Sequence, residues 1–362
     1  MSSNVFFAPM AYARYEAQQT LPAKFERLLK KCGLGDRVKD KKVAIKMHVG
    51  DGITYSTIPP VFVRALVDFI QKNGGECFIT DHYVYQRHPE RRGYTPDNLG
   101  CPVLDDCGYF GKYYYTKDVD FRSFRHADVA GLIHDADFMI DFSHVKGHGV
   151  CGFGGACKNI AMGCVTDRTR HELHSLEGGL NWDAQKCVHC GKCVAACNHR
   201  ANGFNDQGQY EVFYHNCTLC QHCAKVCPVH AITLDSHDYT DFQRGMALCT
   251  KTVLDTFAPG NVYYINMLIS ITALCDCWGL TTPSLVPDLG ILAGDDIVAV
   301  ERASLDAIKV EDLIPVGVPK GMELGTEGHL FQRLHGKNPY IQLEQLEKCG
   351  LGSQEYQLIE IS

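Results

Sequence analysis

Apolar positions along the chain follow two rhythms in turn. KKVAIKMHVG, Lys41 to Gly50, is a β-branched and apolar run ending in glycine, and predicts a strand. PPVFVRALVDFIQKNGG follows, with apolar residues at Phe62, Leu66, Phe69 and Ile70, prolines at its start and Gly74 at its stop. That pattern predicts a helix. ECFITDHYV predicts a second strand and DADFMIDFSHV, Asp135 to Val145, a third. Strand, helix, strand in this order argues for an α/β domain built on a mostly parallel sheet. Residues 85–125, including GYFGKYYYTKDVDF, show neither rhythm and are expected to form a loop or small excursion. The rhythm resumes with DFQRGMALCTKTVLDTF as a helix, NVYYINMLI as a strand and DDIVAVERASLDAIKVEDL as a helix, Asp295 and Asp296 capping the last.

Between the two α/β stretches lie two cysteine runs. CVHCGKCVAAC holds Cys187, Cys190, Cys193 and Cys197; CTLCQHCAKVCP holds Cys217, Cys220, Cys223 and Cys227, followed by Pro228. Three close cysteines wrap one face of an iron–sulfur cubane, and the fourth of each run reaches the other cluster. The spacing therefore assigns Cys187, Cys190, Cys193 and Cys227 to one 4Fe-4S cluster, and Cys217, Cys220, Cys223 and Cys197 to a second. Zinc knots use separated Cys-x2-Cys pairs and fit this duplicated pattern poorly. In the first run Asn198 stands where proline is usual, beside His199 and Arg200. The chain divides into a first α/β part over 1–180, a bacterial-type ferredoxin module over 181–237 inserted into it, and a second α/β part over 238–362.

Composition narrows the setting. The 362 residues carry 19 cysteines and a net charge of -7. A mildly acidic chain gives no support for nucleic-acid or anionic membrane binding, and no apolar stretch is long enough to span a bilayer. The opening MSSNVFFAPMAYARYE has no basic segment followed by an apolar core, so a cytoplasmic protein is expected. In a reducing compartment, clustered cysteines read as metal ligands rather than disulfides.

SHVKGHGVCGFGGACKNIAMGC, Ser143 to Cys164, follows the third strand. His144, Lys146 and His148 precede a glycine-rich turn with Gly154 and Gly155, and Lys158 and Asn159 sit at a helix start. Ligands in open α/β sheets bind at strand ends, and glycines there allow close backbone approach. The stretch matches neither a P-loop nor a dinucleotide fingerprint. Cys275 and Cys277, in CDCW, are a candidate metal site or redox dithiol. His48 and Asp51 end the first strand, and Asp81 and His82 the second. They are weaker acid–base candidates, since such residues as often serve turns.

VAIKMHVG, the Ser143–Cys164 stretch, the double cysteine motif, INMLISITALCDCW, LGILAGDDIVAVERASLD and KCGLGSQEYQLIEI occur in one order. Together they resemble the domain of unknown function 362 family, in the branch with an internal two-cluster ferredoxin module. The resemblance implies an iron–sulfur protein and no general activity. Two departures stand out. GACKN has Cys157 where leucine is the family residue, making Cys157 a candidate extra metal ligand, and the segment from Ile53 to Pro60 lacks an arginine before proline.

The leading expectation is a reductase. Electrons enter the module from a ferredoxin-like or oxidoreductase partner and reach a small anionic substrate or bound cofactor among His144, Lys146, His148, Lys158, Asn159, Cys275 and Cys277. Two-electron chemistry calls for a further metal, a flavin or a dithiol, although no flavin signature is present. The alternatives are an electron carrier or subunit without its own substrate, and a protein that binds or assembles a metallo-cofactor. Exposed clusters are oxygen-sensitive, so an anaerobic host is expected.

Overall fold

A computed structural model describes residues 2–177, 179–197, 200–213, 217, 222–234, 239–279 and 281–362. Eight strands make one sheet: β1 (Ser3–Pro9), β2 (Lys42–Lys46), β3 (Glu76–Asp81), β4 (Val103–Asp105), β5 (Phe138–His144), β6 (Val262–Leu268), β7 (Gly290–Gly294) and β8 (Tyr356–Glu360), in the order β8-β1-β7-β6-β5-β2-β3-β4. Only β7 runs against its neighbours; every other pairing is parallel.

Both faces are covered, as parallel sheets require. Val43 and Ile45 of β2 and Phe138, Ile140 and Phe142 of β5 pack on α1 (Leu21–Lys31) and α2 (Pro60–Lys72). Phe25 stacks on Phe142 with ring centroids 5.8 Å apart. The alternate residues Ala44 and Met139 face α3 (Ala156–Gly163), α5 (Tyr239–Leu254) and α6 (Ile297–Ala307), through Ile160, Met246 and Val298 among others. A fourth helix, α4 (Asp167–His174), follows α3. Each such side chain contributes about 1.5–3 kcal/mol on burial. Asp296 caps α6, accepting from the amides of Val298 (2.9 Å) and Ala299 (3.0 Å), whereas Asp295 pairs with Arg37.

Strands β2, β3, β5 and β6 fall where the apolar rhythm places them. Residues 85–125, expected as a loop or small excursion, contain edge strand β4 and the first arm of a hairpin, Tyr114–Phe121 against Phe124–Ala130. A three-residue strand is too short to show a period, and the Tyr114–Phe121 arm is largely exposed, so neither carries a burial signal.

The cysteine-rich segment leaves and rejoins the α/β body side by side. Leu180–Trp182 pairs antiparallel with Ile232–Leu234, and Asn202–Phe204 with Tyr210–Val212. It has a small core of its own, in which Cys193, Cys223 and Ile232 meet Leu180, Trp182, Phe204 and Tyr210.

Candidate functional site

Strand β2 lies between β3 and β5. The chain steps outward through β3 and β4 on one side and through β5 and β6 on the other. Connections leaving in opposite directions open a crevice at the carboxyl ends of β2 and β5, the usual ligand position in such sheets. Here a cavity of about 40 Å³ is lined by Lys46, Arg87, Lys146, Lys158 and Arg170, with Asp81 as its single carboxylate. His48, Asn159, Cys277, Met162 and the glycines 154, 155 and 163 complete the wall. That volume holds a few waters or one compact oxyanion.

Polar groups buried at the strand ends shape this space. Lys46 Nζ sits 3.1 Å from Asp81 Oδ1 and donates to Asn159 Oδ1 at 2.6 Å. Asn159 Nδ2 donates to Asp141 at 2.7 Å. Gly163 leaves room for the Lys46 ammonium, since a Cβ there would lie 2.4 Å from Nζ. Burial alone would raise the Asp81 pKa, but Lys46 and then His48 hold it well below the usual carboxylate range. Burial, against the pull of Asp81, lowers His48 to about 4, so His48 is neutral. His48 Nδ1 donates to Asp81 Oδ2 at 2.9 Å, which leaves its Nε2 lone pair without a protein partner among the described residues. Burial raises Asp141 to about 7, Ser143 opposing with a 2.7 Å hydrogen bond.

A second network holds Lys146. Asp276 Oδ2 accepts from His144 Nδ1 at 2.7 Å and lies 3.3 Å from Lys146 Nζ, while Asp276 Oδ1 accepts from Ser56 at 2.9 Å. His144 Nε2 faces the Ile269 carbonyl at 2.9 Å. Both His144 nitrogens are thus engaged within the protein, and His144 does not line the cavity. Beside Asp276, Cys275 and Cys277 are joined in a disulfide. Lys158 Nζ lies 3.5 Å from Cys277 Sγ and 3.8 Å from Cys275 Sγ. Burial, reinforced by Lys146, lowers Lys158 to about 7.

His148, Cys275 and Cys277 also lie close enough to surround a metal ion. His148 Nδ1, however, accepts from the amides of Val150 (3.2 Å) and Cys151 (3.3 Å). That engages Nδ1 within the protein, and the Lys158 side chain stands at the sulfurs. The donor set suits a disulfide–dithiol pair. Cys157 is fully buried against Thr250 of α5 and faces away from the cavity, so it is no extra ligand.

The glycine-rich turn is held from below by Glu301 of α6, which accepts from Cys157 N at 2.8 Å. A Cβ on Gly155 would meet the Glu301 carboxyl at 2.6 Å. Burial raises Glu301 from an ordinary 4.5 to about 8. Between those values the folded chain keeps a proton that the unfolded chain has released. Stability therefore falls as pH rises from about 4.5 to 8, by up to about 1.4 kcal/mol per pH unit. Glu301→Gln should flatten that slope, read as urea midpoints against pH; an unchanged slope would refute a protonated Glu301.

In the cysteine-rich segment, Cys187, Cys190, Cys193 and Cys227 line one small pocket with Trp182, Phe204 and Ile232. The two runs end alike. Ala201 N donates to Cys197 Sγ and Ala231 N to Cys227 Sγ, both at 3.2 Å, and Arg200 and His230 occupy matching left-handed positions at φ 52° and 49°. Burial opposes, but backbone amides led by Ala231 draw the Cys227 thiol below its ordinary value. Cys220, Asn198 and His199 lie outside the described residues.

Of the residues singled out from sequence, Lys146, Lys158, Asn159, Gly154, Gly155 and Cys277 meet at the cavity, with His148 and Cys275 just behind. His48 and Asp81, the weaker candidates, sit at its centre. Lys46, Arg87 and Arg170 carried no local signal: a lysine ending a strand, an arginine in a short turn and an arginine on a polar helix look ordinary until the fold gathers them.

Fold and site together define an α/β protein with a cation-lined crevice and a cysteine-rich appendage. The chain belongs to the family described as "Domain of unknown function (DUF362)", whose pattern it matches over residues 43–306. Shorter matches reach a ferredoxin of Pyrobaculum islandicum (37% identity over 51 residues, 14% of this chain and 48% of that one) and the pyruvate synthase subunit PorD of Methanocaldococcus jannaschii (37% over 51 residues, 14% and 59%). An archaeal-type glutamate synthase of Thermotoga maritima matches over 59 residues at 37%, 16% of this chain and 11% of the synthase. The chain thus spans about a tenth of that relative and roughly half of the two smaller ones. Among solved structures, the lactate racemase apoprotein of Thermoanaerobacterium thermosaccharolyticum aligns with TM-score 0.36 and 12% identity, over 74% of this chain and 51% of that one. No helix among the described residues is long and apolar enough to cross a membrane.

Proposed function

We propose that this chain is an iron–sulfur reductase that takes electrons from a ferredoxin-like or oxidoreductase partner and delivers them to a small anionic substrate in the cation-lined cavity. Two 4Fe-4S clusters would be held by Cys187, Cys190, Cys193 and Cys227, and by Cys197, Cys217, Cys220 and Cys223, in a module spanning 181–237 between α/β parts 1–180 and 238–362. The observation that carries the reading is the pocket shared by Cys187, Cys190, Cys193 and Cys227, the same four that spacing pairs across the two runs. Similarity to ferredoxin and to PorD supports it. Such clusters supply electrons one at a time.

The chain's own residues do the rest. Lys146, Lys158, Arg87 and Arg170 attract the substrate's negative charge, and Gly154 and Gly155 let it approach the backbone. His48, neutral and oriented by Asp81, takes or returns a proton at Nε2. Asp276 and His144 hold Lys146 in place. A second reading, favoured by the shortness of the ferredoxin-like relatives, is an electron carrier without its own substrate. A cytoplasmic setting in an anaerobic host fits both.

Anaerobically purified protein should contain about eight irons and eight acid-labile sulfides per chain; zinc in their place would overturn the reading. Phosphate or a simple carboxylate should bind more weakly as pH rises through about 7, because Lys158 then loses its charge among Lys146, Arg87 and Arg170. Titration calorimetry checks this, and pH-independent binding or none would favour the carrier.

A further inference from the structure

We propose that the Cys275–Cys277 disulfide is the two-electron acceptor for the cysteine-rich module, reached through the contact between Phe213 and Trp278. The inference rests on the reading of that module as an iron–sulfur carrier.

Five observations lead to it. Cys275–Cys277 is the one disulfide among the described residues. The Phe213 ring, in the module, meets the Trp278 ring edge-on at 4.9 Å. Trp278 follows Cys277 directly, and the Phe213 carbonyl accepts from the amide of Cys217, a proposed cluster ligand, at 3.2 Å. The buried Lys337 ammonium donates to the Cys217 carbonyl, so the same part of the module is fastened to the α/β body beside the site. Finally, Cys277 lines the cation-rich cavity while Cys275 is fully enclosed behind it. An aromatic pair therefore joins the shell of one cluster to a reducible bond that opens on the substrate space.

The stoichiometry closes. Splitting the disulfide into two thiols consumes two electrons and two protons. Two reduced 4Fe-4S clusters, each giving one electron, supply the electrons. Lys158, 3.5 and 3.8 Å from the two sulfurs, delivers the protons in turn and recovers them from the cavity. A neighbouring cation also favours the thiolate, the reactive form of a cysteine. Of the resulting dithiol, Cys277 lines the cavity with Lys46, Lys146 and Arg170 and Cys275 lies behind it, placing a two-electron, two-proton donor at the edge of the space where those residues would hold an oxyanion.

The test uses the full chain, anaerobic and cluster-loaded, photoreduced with about two electrons per chain, one for each cluster. Thiols are then trapped by alkylation and located by peptide mass, while absorbance and electron paramagnetic resonance follow the clusters. The expected result is label at both Cys275 and Cys277 as the clusters return to their oxidised spectrum. In Cys275→Ser the clusters should stay reduced, and in Trp278→Leu and Phe213→Leu labelling should slow several-fold with the cluster spectra unchanged. Clusters that remain reduced over an intact disulfide would overturn the inference and leave the iron–sulfur reading standing, as would a metal ion bound at Cys275 and Cys277. Protein without clusters would overturn the reading beneath it. Normal labelling in both aromatic variants would remove the Phe213–Trp278 route.

Discussion

Asp276→Asn is expected to lower the apparent melting temperature by an amount of order 10 °C and, on the reductase reading proposed above, to abolish substrate reduction. Asp276 is the anion shared by two groups beneath the cavity, His144 at 2.7 Å and Lys146 at 3.3 Å, and all three side chains are almost wholly buried. Burial raises the pKa of Asp276, yet His144 and Lys146 together hold it well below the usual carboxylate range. Removing one partner of a buried pair leaves a charge without compensation and costs about 3–5 kcal/mol, each kcal/mol being worth roughly 2–4 °C in a large domain. Asparagine keeps the shape and the hydrogen bond from Ser56 at Oδ1, but turns the atom facing His144 and Lys146 into a donor, so the loss takes in the charge and both of those contacts together. Calorimetry on the cluster-loaded protein measures it. An unchanged melting temperature would mean that Lys146 is held by other groups, and the account of the second network would fall.

The second large effect concerns the cysteines. Cys227→Ala should remove about half of the iron and sulfide, although Cys227 lies far along the chain from Cys187, Cys190 and Cys193. Those four share one pocket, and Ala231 N is aimed at Cys227 Sγ at 3.2 Å. Cys197→Ala should deplete the other cluster. The discriminating outcome is electronic. If each run held its own cluster, the two variants would exchange their spectral effects, with Cys227→Ala disturbing the cluster of Cys217 and Cys223. Paramagnetic resonance on each variant, alongside iron analysis, separates the arrangements.

Much of the body was legible because parallel strands buried on both faces are written as unbroken apolar runs: Val43 to Ile45 and Phe138 to Ile140 admit few other readings. Part of the candidate site was legible from the density of histidine, lysine and glycine after β5: Lys146, Lys158, Asn159, Gly154 and Gly155 line the cavity, whereas His144 does not. What stayed hidden was long-range. Arg87 and Arg170 reach one cavity from a short turn and from α4, and Glu301 supports the glycine turn from α6. No local pattern records which distant element a side chain will face. Cys157 shows the converse error: its neighbours Lys158 and Asn159 point to the cavity, but a helix turns each residue by about 100°, and position 157 falls on the α5 side. The duplicated cysteine runs stand out by spacing alone, and the partial likeness to ferredoxin and PorD agrees with an iron–sulfur reading of the chain.

The antiparallel pairing of Leu180–Trp182 with Ile232–Leu234 has a consequence for lineage and for engineering. It brings the entrance and exit of the cysteine-rich segment together like the two prongs of a plug. A segment so attached adds little closure entropy to its host however long it grows, and a short turn across the same gap would leave every strand of the large sheet in register. On the reading proposed above, electron delivery sits in a segment that enters and leaves the α/β body at one paired point, with the Phe213–Trp278 and Lys337–Cys217 contacts as its further ties to that body.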